Sequence, residues 1–134
     1  ESNLGPLVAV GDVNGDGLDD CFLGNAFDQE SGVFVQNANG AFSKLTIPTL
    51  QADKVFEDHG AVFFDADGDK DLDLYVVSGG FEATSNQAWT HRLYINLDGK
   101  GKFARAQGAA PTFNDVAMRI TAHDYDGDGD QDLF

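Results

Sequence analysis

Three nine-residue segments of this chain begin and end on aspartate, and each is set between two short apolar runs. They read Asp12-Val13-Asn14-Gly15-Asp16-Gly17-Leu18-Asp19-Asp20, Asp65-Ala66-Asp67-Gly68-Asp69-Lys70-Asp71-Leu72-Asp73 and Asp124-Tyr125-Asp126-Gly127-Asp128-Gly129-Asp130-Gln131-Asp132. The first aspartates are 53 and 59 residues apart, so the chain repeats itself on the scale of one supersecondary unit. Before the segments stand Leu7-Val8-Ala9-Val10, residues 61–64 and residues 118–122; after them stand Cys21-Phe22-Leu23, residues 72–77 and Leu133-Phe134. Runs this short, bounded by Gly, Asn and Asp, have the length of strands rather than helices.

Two more strands follow in the first unit, over residues 32–36 and 41–45. Asn37-Ala38-Asn39-Gly40 joins them, and Asn-Gly is a strong hairpin signal. The second unit repeats the device with strands over 92–96 and 102–105 around Leu97-Asp98-Gly99-Lys100-Gly101. Each full unit therefore reads as four antiparallel strands with the acidic loop between the first and second. Four strands in ~40–50 residues is the size of a propeller blade. The expected fold is all-β: a single β-propeller fragment over residues 1–134. Its units span about 5–52, 59–110 and 117–134, two whole blades and the opening half of a third. Recurrent Phe, Val, Asp, Gly and Asn, without Ala-Leu-Glu-Lys runs, agree with a β-rich chain. A self-sufficient β-sandwich is the alternative, although a sandwich needs no long internal repeat. One repeat unit cannot bury its face alone, so the blades belong to a longer chain or assemble with other copies.

Charge narrows the function. The chain has 23 acidic residues against 8 basic ones, a net charge of −15 that disfavours nucleic acid and anionic membrane surfaces as partners. No apolar stretch approaches the ~20 residues a membrane-spanning helix requires. Of the 23 acids, 14 are aspartates within the three segments, and something there has to offset their repulsion. Two carboxylates about 4 Å apart repel by roughly 4 kcal/mol at an effective dielectric near 20.

Calcium answers that requirement. It is a hard cation taking 6–8 oxygens at about 2.3–2.6 Å, and a tightly curled loop can supply them. Numbered from its first Asp, each loop carries side-chain oxygens at positions 1, 3, 5 and 9: Asp12, Asn14, Asp16 and Asp20; Asp65, Asp67, Asp69 and Asp73; Asp124, Asp126, Asp128 and Asp132. The backbone carbonyls of Leu18, Asp71 and Asp130 at position 7 complete the expected ligand sets, and position 9 closes each site with both oxygens. Gly at position 4 in all three loops and at position 6 in two supplies backbone angles that a Cβ resists; Lys70 is the exception. Magnesium demands stricter octahedral geometry, and zinc finds no Cys or His in any loop. The loops are not EF-hands, since Leu23 and Val76 stand where the bidentate acid at position 12 would be.

Residues 11–20 and 64–76, with the hairpin of residues 92–103, resemble FG-GAP/VCBS repeats, the blades of integrin-α-like propellers and of many secreted bacterial proteins. The resemblance implies a seven-bladed propeller in the intact protein, with about three Ca²⁺ stiffening the structure and ligands bound elsewhere. Lys70 departs from the glycine usual at its position and is expected to tighten or distort that turn.

The resulting expectation is a non-catalytic, calcium-binding structural or adhesion module at the extracellular, cell-surface or periplasmic side, taking a protein or carbohydrate ligand. The alternative is the substrate-binding part of a secreted, carbohydrate-active propeller enzyme. No nucleophile elbow, phosphate loop or dinucleotide fingerprint is present, and His59, His91 and His123 do not recur at equivalent positions. Cys21, the only cysteine, is expected to be a buried core thiol. The stretch from Gly79 to His91 is a candidate binding loop, because it is longer than its counterpart in the first unit and holds the only Trp, Trp89.

Overall fold

The computed structural model describes residues 7–26, 28–79, 90–108 and 119–134. Three antiparallel sheets follow one another along the chain. The first contains β1 (Val8–Gly11), β2 (Asp20–Leu23), β3 (Gly32–Gln36) and β4 (Phe42–Lys44), paired in that order. The second repeats it with β5 (Glu57–Phe64), β6 (Asp73–Gly79), β7 (Arg92–Asn96) and β8 (Phe103–Arg105). The third is the pair β9 (Ala122–His123) and β10 (Asp132–Leu133). Consecutive strands pair within each sheet, which is the arrangement of successive blades.

Strand register fixes which side chains share a face. Ala9 opposes Phe22, and Phe22 opposes Val33. All three are buried, with Phe22 and Val33 fully enclosed. They pack into one core with Phe63, Leu74, Val76, Tyr94 and Phe103 of the second blade. The opposite face of the second blade puts Phe64, Tyr75 and Val77 against Ile120, Ala122 and Leu133 of the third unit. With a blade on either side, every residue of β6 is buried. That is why its sequence is a nearly continuous apolar run instead of an alternating one.

A connector with helix α1 (Pro48–Ala52) and a 3-10 turn (Asp53–Val55) joins the first two sheets. Pro48 lies at the start of the helix, where its fixed φ is pre-set and its missing N–H costs nothing. Leu50 anchors the connector in the core. A five-residue helix is too short to show a period, and the sequence reading did not anticipate it.

The connector also carries a polar joint. Arg92, 2% exposed, reaches the Asp58 carboxylate through Nη2, Ser78 Oγ through Nε at 3.2 Å and the Tyr94 hydroxyl through Nη1 at 3.3 Å. Tyr94 in turn donates to Asp53 Oδ2 at 2.7 Å, and Arg105 donates to Asp53 Oδ1 at 2.6 Å. Asp58 also accepts from Ser31 Oγ and, at 3.2 Å, from the Asn25 N–H. The Phe56 ring lies beneath both guanidinium groups, 4.8 Å from Arg92 and 5.6 Å from Arg105. Arg92 and Asp58 are thereby desolvated together, each with a partner, and Asp53 is covered with Arg105 lying partly exposed beside it. The joint connects the first blade, the connector and the second blade.

Cys21 departs from expectation. It is half-buried on one face of the first blade, opposite Val10 and Phe34, and among the described residues no blade is packed over it. Partial burial and the neighbouring Asp20 push its thiol pKa up, so it is a poor nucleophile. Most of the candidate binding loop, including Trp89, lies outside the described residues.

Candidate metal centre

Each acidic loop is the β1–β2 connection of its blade or that connection's counterpart, and the same hydrogen bonds form it three times. The first aspartate caps the loop with both oxygens. Asp12 Oδ1 accepts from the Gly15 N–H at 2.8 Å, and its Oδ2 accepts from the Gly17 N–H at 2.8 Å. Asp65 accepts from Gly68 at 2.7 Å and Lys70 at 3.0 Å, and Asp124 from Gly127 at 2.7 Å and Gly129 at 3.2 Å. Positions 3 and 5 each accept from the N–H two residues on. Asp16, Asp69 and Asp128 thus hold the N–H groups of Leu18, Asp71 and Asp130 at 2.9, 3.1 and 3.1 Å. Such Asx turns curl the backbone tightly enough to bring the side chains of alternate residues together.

That curl requires left-handed backbone at positions 4 and 6. Gly15 and Gly17 have φ of 73° and 85°, and Gly127 and Gly129 have 77° and 100°. Lys70 occupies the same conformation at 76°, so the second loop keeps the shape of the others at a cost in backbone strain. Glycine adopts this region freely, whereas an L-residue pays about 1–2 kcal/mol there. Lys70→Gly should therefore stabilise the protein by about 0.5–1 kcal/mol, after allowing for the greater freedom of glycine in the unfolded chain. The midpoint of urea unfolding reads this directly.

The aspartate at position 9 is the structural keystone of each loop. Asp20 and Asp73 are fully buried. Asp20 Oδ2 accepts from the Val13 N–H at 3.0 Å and Oδ1 from the Gln36 N–H at 2.8 Å. Asp73 repeats this with the N–H groups of Ala66 and Asn96, both at 2.8 Å. Asp132 accepts from the Tyr125 N–H at 3.0 Å. Position 9 therefore ties the loop to its own start and, in both complete blades, to the third strand. The expectation of two oxygens given over to an ion did not include this second duty. Any bond from Asp20 or Asp73 to a cation uses the remaining lone pairs of oxygens already holding N–H groups.

Asn96 was not singled out from the sequence at all. It is fully buried, and its Nδ2 donates to the Val13 carbonyl at 2.8 Å and the Leu72 carbonyl at 3.3 Å. Its Oδ1 accepts from the Gly101 N–H at 3.0 Å. One side chain thus connects the loop of the first blade, the loop of the second and the β7–β8 turn. An Asn ending a strand just before a turn looks in sequence like ordinary turn chemistry.

Among the described residues, two clusters of carboxylates gather closely enough to hold a cation. Asp65, Asp67 and Asp73 bring one oxygen each within 4.8 Å of one another, and so do Asp124, Asp126 and Asp128. In the first loop Asn14 takes the third position and turns its Nδ2 to Asp16 Oδ2 at 3.1 Å. Electrostatic strain is concentrated in the second loop. Partial burial, then repulsion from Asp69, Asp73 and Asp67, pushes the Asp71 carboxyl up to about 6. Burial raises Asp73 as well, against the opposing pull of the Asn96 and Ala66 N–H groups. In the third loop the Asp130 N–H holds Asp128 low, while the shared hydrogen bond and charge of Asp128 raise Asp130. Oxygen-only donors on a curled loop suit a hard divalent cation, and the residues present fit calcium.

The family model for the FG-GAP-like repeat matches residues 12–76, from the first residue of the first acidic loop through the second loop and into β6. The chain carries an FG-GAP-like repeat. Neither the curated proteins nor the solved structures contain a match to it. The repeat assignment and the blade architecture agree: the matched segment holds two loops of one construction, each opening the second strand of a four-stranded antiparallel sheet.

Proposed function

We propose that this FG-GAP-like chain is a calcium-stiffened, non-catalytic propeller module that works outside the cell and presents its surface to a protein or carbohydrate ligand. One observation carries the reading. Asp65, Asp67 and Asp73 converge within 4.8 Å in a loop whose Asp71 is pushed up to about 6, by partial burial first and by its acidic neighbours second. Bringing a divalent cation to that point relieves the repulsion, and the Asx turns hold the ligands in place beforehand. Among the described residues no helix is long and apolar enough to cross a membrane.

An extracellular setting suits loops of this kind. Extracellular calcium modules work at Kd of about 10⁻⁴–10⁻³ M. At ten times Kd each site adds about 1.4 kcal/mol, so three add about 4 kcal/mol, a large share of the stability of a domain this size. At the micromolar calcium of cytoplasm the same sites would gain almost nothing.

Calorimetric titration of chelator-treated protein should show about three Ca²⁺ per chain, with a Tm that climbs as calcium is raised through the millimolar range. No heat at millimolar calcium, with an unchanged melt, would make the loops plain acidic turns. Magnesium at the same concentration should raise the Tm far less, because the loops offer flexible carboxylates in place of a strict octahedron.

A further inference from the structure

We propose that the first two acidic loops take up their cations as a coupled pair, with Asn96 as the positioning residue between them, so that filling one loop raises the affinity of the other. This rests on the calcium reading of the loops and deepens it. Asn96 carries no charge and stands outside all three nine-residue loops, yet its amide donates to two of them. Nδ2 reaches the Val13 carbonyl at 2.8 Å and the Leu72 carbonyl at 3.3 Å. The Val13 carbonyl belongs to the peptide unit that leads into Asn14, position 3 of the first loop. The Leu72 carbonyl belongs to the unit that leads into Asp73, position 9 of the second. Each hydrogen bond therefore sets the tilt of a peptide plane that carries a candidate ligand. The main chain extends the path at both ends. The Asn96 N–H donates to Asp73 Oδ1 at 2.8 Å, and the Val13 N–H donates to Asp20 Oδ2 at 3.0 Å. The route from Asp73 through Asn96 and Val13 to Asp20 is closed to water along its whole length, since Asp73, Asn96 and Asp20 are 0% exposed and Val13 is 1% exposed.

The turn that Asn96 holds through the Gly101 N–H lies between the same two loops. A side-chain carbon built on Gly99 would stand 3.0 Å from Asp71 Oδ2, and one built on Gly15 would stand 3.9 Å from the Gly99 carbonyl oxygen. Neither loop can shift far without moving this turn. In an empty loop the aspartates repel one another, so ordering its peptide units is part of what cation binding costs. Fixing Asp73 and the peptide before it also fixes Asn96. Asn96 then holds the Val13–Asn14 peptide in place before the first loop is filled. The second cation pays less ordering, which is positive coupling, and linkage makes the factor equal in both directions. Filling one loop also weakens the negative field felt by the other, but salt of ~0.15 M confines that opposing effect to about 8 Å. Among the described residues the hydrogen bonds of the third loop stay within that loop, so it should bind independently.

Calorimetric titration of the whole chain with Ca²⁺ in ~0.15 M salt tests this, with single loops silenced at exposed positions by Asp16→Ala, Asp69→Ala or Asp128→Ala. Silencing the second loop should weaken the first about fivefold or more, and silencing the first should weaken the second by the same factor. Silencing the third should change neither. Asn96→Ala, which alters no charge, should abolish the effect, so that each loop binds alike whether or not the other works. Asn96 is buried, and circular dichroism checks that this variant folds; if it does not, Asn96→Ser, whose short hydroxyl cannot serve both carbonyls, replaces it. A further readout leaves Asn96 intact. In NMR spectra of isotope-labelled double variants that keep one working loop, the Asn96 side-chain amide should shift when either the first or the second loop is filled. It should stay in place when only the third is filled. A merely structural Asn96 would lower stability and leave the two affinities independent of each other, which overturns the proposal. An amide that answers to one loop alone overturns it too. Calcium bound at three independent sites overturns the coupling while the metal reading stands, whereas no calcium bound at any loop overturns both.

Discussion

Arg92→Leu is expected to cost about 3–5 kcal/mol of folding stability. Arg92 is 2% exposed, and the side chain of its partner Asp58 is 1% exposed. Removing the guanidinium leaves that carboxylate in the joint with only the Asn25 N–H and the Ser31 hydroxyl to satisfy it. It also removes a donor to Tyr94 and the cation stacked over Phe56. Leucine fills part of the volume but none of the polar demand, so the loss is mainly that of a buried charge without its counter-ion. Urea unfolding monitored by tyrosine and tryptophan fluorescence measures it. Asp58→Asn in the Arg92→Leu background should recover about 1–2 kcal/mol by removing the stranded charge. If Arg92→Leu costs under about 1 kcal/mol, the polar joint is not what fastens the blades, and the apolar core alone holds them.

This joint marks the limit of what could be read from the chain. The acidic loops and strands were legible because their signals are local. Alternating apolar positions, an Asn-Gly turn and aspartates at fixed offsets all act within about ten residues. The described sheets follow that reading closely, with β3 and β7 at the expected 32–36 and 92–96. Arg92 and Asp58 stand 34 residues apart and Tyr94 and Asp53 stand 41 apart, with no spacing rule to connect them. In sequence Arg92 is the polar start of a strand and Asp58 one acid among many. Their partnership exists only once two blades stack. Cys21 was misjudged for a related reason. Its alternation places it correctly on a blade face, but whether that face is covered depends on a neighbouring unit, not on the residues beside it. Position 6 of the second loop shows the reverse case. Lys70 was expected to tighten or distort the turn, yet the capping bonds of Asp65 hold it at a φ of 76° and preserve the common loop shape.

The second large effect separates the two duties of position 9. Asp73→Ala should destabilise the protein by about 2–4 kcal/mol even in chelator, because the Ala66 and Asn96 N–H groups lose their acceptor inside the structure. Asp69→Ala should cost under about 1 kcal/mol in chelator, since Asp69 is exposed and holds only the Asp71 N–H. With calcium the contrast changes form. Asp69→Ala should then lose the roughly 1.4 kcal/mol that its site gains at ten times Kd, while Asp73→Ala loses both that increment and the backbone anchorage. One opposing effect has a known sign. Deleting Asp73 removes one of the charges that raise Asp71, so the apo protein recovers a little of what it loses. Thermal melts of the two variants, each with and without calcium, give the four values needed. Equal costs in chelator would mean that Asp73 is held for the ion alone. A larger cost for Asp73, with similar calcium increments lost by both, would mean that the fold ties down its loop before any cation arrives. Calcium would then tighten a site that the strands have already built.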